Sequence, residues 1–259
     1  MSRQQHVAEA FVSLADTFGS GVDPLVLVDR LVGHCVRLTG ADAAGIMMVT
    51  ARGGLRTMAV SDDRADLLEV FQLQTGEGPC VECLRREQPV NAGDLAAHQD
   101  RWPGFVPLAR AAGFHGAYAL PVRVNEQTIG ALNLLCASPG ALTEDDLLLA
   151  GALADVTAVA LMHWDVEPVR PQDVLTLVQA VISAKATLET AKGMLAAHGL
   201  LTPAEAGAAL RAYSRRQGRR PSETAQELVH RTLDPATVVV FREGPFAADS
   251  STAPGGDRS

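Results

Sequence analysis

Apolar residues recur at spacings of three and four over Gln4–Phe18 and again over Pro24–Thr39, which predicts two amphipathic helices, the second ended by Gly40. The period then changes. Ala43–Val49 and Leu55–Ser61 are short apolar runs split by Arg52-Gly53-Gly54, a hairpin signal. Helical spacing returns over Asp66–Gln74, and Thr75-Gly76-Glu77-Gly78-Pro79 leads into a short helix at Cys80–Arg86. A brief strand at Pro89–Asn91 and a helical stretch at Leu108–Ala112 precede two strands, Tyr118–Val124 and Ile129–Cys136, joined by Asn125-Glu126-Gln127. Thr143 caps a long helix running to about Trp164, whose first turn, Glu144-Asp145-Asp146, suits the positive helix end. This order predicts an α+β domain: an antiparallel sheet with flanking helices.

Pro168 and Pro171 mark a linker over 165–173, and beyond it the pattern is helical throughout. Val174, Leu177, Val178, Val181, Leu188, Ala191 and Leu195 form a near-heptad stripe within Gln172–His198, a face also suited to pairing with a second copy. Gly199 is the expected C-cap. Thr202-Pro203-Ala204-Glu205 is a capping box with proline at the first helical position. The helix it starts should bury Ala206, Leu210 and either Tyr213 or Ser214, and stop at Gly218. A third helix from about Ser222 should bury Ala225, Leu228 and Val229. The result is an all-α three-helix bundle over 174–232. The segment 235–259, rich in Gly, Ser, Pro and Asp, is expected to be a disordered tail, with a short strand at Thr237–Phe241 as the alternative.

Charge sharpens this division. The formal net charge of −8 splits into −10 over residues 1–168, +4 over 169–233 and −2 over the remainder. An acidic body joined to a small basic module points to a polyanion as the module's partner. The only two lysines, Lys185 and Lys192, stand seven residues apart, close to two helical turns and hence on one face. Arg211 and Arg215 are four apart on the next helix, with Arg216, Arg219 and Arg220 at its end. By pattern alone, such a face is more often merely solvated than a binding surface.

Several chemistries drop out. Met1–Ala10 has no signal-peptide core and no apolar run approaches about 18 residues, so a cytoplasmic protein without membrane contact is expected. Residues 1–184 lack lysine, which excludes a P-loop lysine or a Schiff-base lysine there. Cys35 and Cys136 read as small buried hydrophobes, and His98 and His115 as isolated structural histidines. Cys80 and Cys83 form one Cys-x-x-Cys pair, weak evidence for zinc. Cys80 follows Gly-Pro at a helix start, where the dipole favours a thiolate, so a redox-sensing pair is one reading and core packing the other. No catalytic constellation stands out, and the chain is not expected to be an enzyme.

The stretches GEGPCVECLRREQPV, DLAAHQDRWPGFVPLARAAGFHGAYALPVRVNEQTIGALNLLC and LTEDDLLLAGALADVTAVAL resemble a GAF domain over residues 4–164, in the form common in actinobacterial regulators. That resemblance implies a sensory or dimerising module with an unidentified small ligand. The Asn-Lys-Phe-Asp-Glu signature of cyclic-nucleotide-binding GAF domains is absent, as is the lysine that phosphorelay receivers keep. Further on, LETAKGMLAAHGLLTPAEAGAALRAYSRRQGRRPSETAQELV is similar to the ANTAR domain, whose members bind RNA hairpins and prevent transcription termination. Leu188-Glu189, Ala191-Lys192-Gly193, Gly199-Leu200, Glu205-Ala206, Leu210-Arg211, Tyr213, Arg215-Arg216 and Ala225 carry the match. Two positions depart from it: Gly207 stands where the family has an aromatic, and Pro221 where it has an apolar residue.

The resemblance implies RNA binding by Lys192, Gly193, Arg211, Tyr213, Arg215 and Arg216, with Tyr213 equally suited to the core, and the charge pattern adds Lys185, Arg219 and Arg220 to one basic face around a hairpin loop. The expectation is a dimeric antiterminator that holds hairpin loops in nascent RNA under control of its GAF sensor. Two alternatives remain: a dimerising sensor whose C-terminal module binds a protein, and a thiol redox protein using Cys80 and Cys83.

Overall fold

A computed structural model describes residues 2–15, 23–50, 52–124, 126–162 and 174–240, and the chain divides into two units, 1–186 and 187–259. The first unit runs α1 (Arg3–Ala15), α2 (Pro24–Leu38), β1 (Ala43–Val49), β2 (Leu55–Val60), α3 (Asp63–Thr75), α4 (Pro79–Arg86), β3 (Val90–Ala92), α5 (Phe105–Ala111), β4 (Gly116–Val124), β5 (Gln127–Cys136) and α6 (Glu144–Met162). Residues 16–18 of the first expected helix, the turn residue Asn125, the end of the long helix at 163–164 and the linker 165–173 lie outside the described residues.

The strands form one antiparallel sheet in the order β2-β1-β5-β4-β3. Its central strands, β1 and β5, are buried almost end to end, because both faces are covered. Alternation sorts the side chains. Ala43, Met47, Ala117, Ala119, Ala131 and Leu135 join one core with residues of α3, α4 and α5. Their neighbours in sequence, Ala44, Ile46, Met48, Leu132 and Leu134, are equally buried and point to the opposite face. Helices α1, α2 and α6 pack together and against the sheet as a separate group.

Local chemistry fixes these elements. Asp23 caps α2 by accepting from Leu25 N at 3.0 Å, ahead of Pro24 at the first helical position. Asp62 caps α3 by accepting from Ala65 N at 2.9 Å, and Gly76 ends it in the left-handed conformation. The GEGPC segment is a structural staple. Glu77 Oε1 accepts from Gly104 N and Phe105 N at 2.7 and 2.8 Å, capping α5. Gly78, at φ 136°, leaves room for the Gln72 side chain, whose Oε1 accepts from Cys80 N at 2.9 Å. A Cβ at Gly78 would overlap Gln72.

The second unit contains the end of α7 (Val174–Gly199), then α8 (Pro203–Gln217), α9 (Pro221–Val229) and α10 (Pro235–Val239); the boundary between units falls within α7, after Ala186. Ala191, Leu195, Ala206, Leu210, Tyr213, Ala225, Leu228 and Val238 make its core. Thr202 and Glu205 form the expected capping box, with reciprocal bonds of 2.9 and 3.2 Å, and Gly218 ends α8 at φ 63°. Pro221 takes the first position of α9, so this departure sets where that helix begins. Across α8 and α9, Ser214 Oγ and Thr224 Oγ1 lie 2.8 Å apart with both residues fully buried.

Three expectations change here. The left-handed residue after α7 is Leu200 (φ 52°), while Gly199 is the last helical residue. Gly199 is needed for close approach, since a Cβ there would lie 2.9 Å from Val239 Cγ1 of α10. The segment from Pro235 begins as helix α10: Asp234 caps it through Ala236 N and Val238 is fully buried, so neither disorder nor a strand describes 235–239. Finally, α7 is the one helix among the described residues long and apolar enough, by length and composition, to cross a membrane. Its Ala191 and Leu195 lie in the core of the second unit.

Candidate nucleic-acid interface

The basic residues of the C-terminal module do not behave alike. Lys192, on α7, bonds both oxygens of Glu189 at 2.9 and 3.1 Å, an arrangement that holds the ammonium on the helix surface. Gly193 beside it is exposed, with no atom within 4 Å of where a Cβ would stand. Arg211, Arg215 and Arg216 are exposed on α8. Arg219 Nη1 meets both oxygens of Glu227 at 2.6 Å. Arg220 lies 3.9 Å from Glu223, whose carboxylate also accepts from its backbone N at 3.1 Å. Arg219 and Arg220 are thus tied to α9 carboxylates. Their charge is partly balanced, and they brace the corner between α8 and α9. Sequence reading placed the arginines on one surface but missed these acidic partners, although Glu223 and Glu227 were visible one helix on.

Tyr213 belongs to the bundle core, with 8% of its surface exposed, packed among Leu210 and Leu228. Its ring fills space between helices, which decides between its two expected roles in favour of packing. Lys185 is half-buried and precedes the boundary between units, so the surface described here begins after it. Gly207, buried in α8, faces Lys192 and Arg211: a Cβ there would meet Arg211 Nη1 at 3.3 Å and Lys192 Cε at 3.4 Å.

The cysteine pair of the first unit is enclosed. Cys80 and Cys83 are free thiols with no exposed surface, and the Cys80 thiol points at Met47 Sδ, 3.4 Å away. Burial, with the Glu69 carboxyl alongside, pushes the Cys80 thiol well above its ordinary value, and burial lifts Cys83 to about 12. The dipole of an eight-residue helix does not offset that desolvation, so the expected thiolate is reversed.

Beside Cys80 lies a polar cluster that sequence reading did not single out. Glu69, on α3, is buried over Gly45, and its Oε1 accepts from Asn133 Nδ2 at 2.7 Å. Gly45 and Asn133 are paired across β1 and β5, so the glycine opens the space the carboxyl enters. Burial raises the Glu69 carboxyl to about 8, and neither Glu69 Oε2 nor Asn133 Oδ1 has a hydrogen-bond partner among the described residues. The signal was an acidic residue at a core-facing position of α3, masked by the acidic surroundings of Asp62, Asp63 and Asp66.

A serine–histidine pair also emerges between α1 and α2: His34 Nε2 lies 2.7 Å from Ser13 Oγ, and Arg37 contacts His34 Nδ1. Arginine can only donate, so Nδ1 accepts and Nε2 carries the proton toward the serine. The imidazole therefore cannot take the serine's proton, and the pair is not a nucleophile with its base. Burial and the charges of Arg37 and Arg30 lower the His34 pKa, keeping the ring neutral.

Comparison with known proteins finds two families along the chain. The GAF domain model matches residues 22–162, more than half of the chain, and the ANTAR domain model matches residues 178–229. Among solved structures, the chain is similar to the GAF domain of a phosphoenolpyruvate-protein phosphotransferase from Coxiella burnetii, at 18% identity and TM-score 0.49, covering 62% of this chain and 96% of that one. It is also similar to the corresponding GAF domain from Acinetobacter, at 18% identity and TM-score 0.47, covering 64% of this chain and 100% of that one. A free methionine-R-sulfoxide reductase from Neisseria meningitidis, at 16% identity and TM-score 0.45, covers 70% and 91% respectively. No curated protein matches the chain.

Proposed function

The chain belongs to the GAF domain family and carries an ANTAR domain after it, and from this regulatory pairing we propose a signal-responsive, RNA-binding transcription antiterminator. The observation that carries the reading is the ANTAR match over 178–229, in a module that bears a half-buried Lys192 and the exposed Arg211, Arg215 and Arg216. Phosphates supply the salt-dependent part of affinity, and unstacked loop bases the selectivity. Bound to hairpins in a nascent transcript, the protein prevents an overlapping terminator hairpin from forming. It works in the cytoplasm as a homodimer and catalyses no reaction. The first unit is the sensor of a small molecule.

The test is binding of the full-length protein to a two-hairpin leader RNA from its own genome, across a salt series, with Lys192→Ala combined with Arg215→Ala as control. Tight binding that weakens with salt and is lost in the double variant is expected. Binding to no leader, by reduced or oxidised protein, refutes the proposal and turns attention to a protein partner for the module.

A further inference from the structure

Helices α1 and α2 lie antiparallel. Ser13 Oγ meets His34 Nε2 at 2.7 Å and Ser13 O accepts from Arg30 at 2.8 Å, while Arg3, at the other end of α1, donates to Leu38 O at 3.2 Å. These contacts set Ser13 midway between Arg30 and His34. A rise of about 1.5 Å per residue then puts Val12 level with Gly33, and Glu9 level with Arg37. Between the helices runs an open groove of about 1000 Å³, lined by Glu9 and Val12 from α1 and by Arg30, Gly33 and Arg37 from α2.

Three features of this groove have no reason within one chain. Val12 is 68% exposed. Gly33 stands in the middle of α2, where glycine costs stability, yet no atom lies within 4 Å of where its Cβ would be. Glu9 and Arg37 are exposed and line the same groove without forming an ion pair, and neither meets an opposite charge elsewhere among the described residues.

We propose that two copies of the chain meet at this groove, about a two-fold axis parallel to α1 and α2. Such an axis preserves level along the helices, so α1 of each copy lies over α2 of the other. Val12 then enters the space left open at Gly33 of the other copy, and Glu9 comes over Arg37 of the other copy. The interface is isologous, so each contact occurs twice. Two apolar side chains fill two gaps, and two ion pairs form from charges that one chain leaves unmatched. Arg30 keeps its bond to Ser13 O at the rim. The proposal rests on the reading of the protein as a homodimer and names the surface that joins it.

Sedimentation velocity of the full-length protein over a concentration series reads the dissociation constant of self-association. Glu9→Arg and Arg37→Glu each turn both ion pairs into like-charge contacts, and each should raise that constant about tenfold. Mixed in equal amounts, the two variants can pair with every charge matched, so the mixture should return to the wild-type value. Misfolding cannot produce that recovery. Gly33→Leu, for which a single chain has room, fills the gap that Val12 needs and should raise the constant by about tenfold or more, with helix content by circular dichroism unchanged.

A wild type that stays monomeric at every concentration overturns both the homodimer and this surface. Self-association that survives all three variants unchanged overturns the surface and leaves the homodimer standing on other contacts. Weakening by the charge variants with no recovery in their mixture overturns the two-fold arrangement.

Discussion

Replacing Glu69 by glutamine should change how stability depends on pH, in a direction fixed by the buried carboxyl. In the unfolded chain this group loses its proton near its ordinary 4.5; in the folded protein burial raises that to about 8. Between these values the folded state holds a proton that the unfolded state has released, so raising the pH favours unfolding. The contribution is present in full below pH 4.5 and is lost progressively as pH climbs through 8. Each pH unit in the window is worth about 1.4 kcal/mol, and the whole window roughly 5 kcal/mol. Glutamine stays neutral, and its amide can still accept from Asn133 Nδ2. The variant should match wild type near pH 5 and surpass it by several kcal/mol near pH 8. Urea unfolding at half-unit pH steps, followed through Trp102, which is buried in the same core as Cys80, measures the difference directly. Parallel profiles for the two proteins would show that Glu69 is ionised when folded, and the account of this cluster would be wrong.

Three further outcomes follow from the geometry. Gly193→Ala should stabilise α7 by about 1 kcal/mol, since helix interiors disfavour glycine and nothing obstructs the methyl, yet weaken RNA binding if this glycine belongs to the RNA-binding surface; unchanged or tighter binding refutes that role. Glu77→Ala removes the acceptor for two amides at the start of α5 and should cost about 1–2 kcal/mol in urea unfolding, whereas Glu77→Gln, which keeps an acceptor, should cost less. Cys80 and Cys83 should resist both iodoacetamide and mild peroxide in the native protein and react only after denaturation, as read by mass spectrometry; native modification would restore the redox reading.

Much of this architecture could be read from the chain because it depends on local signals. The hairpin at Gly53-Gly54, the Thr202/Glu205 box and the stripe from Val174 to Leu195 each announce themselves within a few residues. What escaped was set by distant contacts. Gly199 looks like any helix-ending glycine until Val239, forty residues on, is found against it. Pro235 and Asp234 are sound helix-start residues, but the polar composition beyond them concealed a short helix seated by Val238. In the basic surface, spacing revealed which arginines share a helix, while their pairing with Glu223 and Glu227 required the fold of α9 against α8. Cys80 illustrates the converse: its helix-start position was read correctly, but depth of burial governs its acidity.

The hydroxyl pair between α8 and α9 has a consequence for tolerance to substitution. Each hydroxyl has one proton, and two orders satisfy the pair: Thr224 gives to Ser214, which gives to Leu210 O, or Ser214 gives to Thr224, which gives to Arg220 O. Either residue, left alone, keeps a backbone acceptor, so a single replacement strands no donor. The two fallbacks are unequal, because Ser214 reaches Leu210 O at 2.8 Å and Thr224 reaches Arg220 O only at 3.4 Å. Loss of the serine is therefore the costlier change. Drift at this contact should run through the threonine first, leaving α8, which carries Arg211, Arg215 and Arg216, the steadier of the two helices.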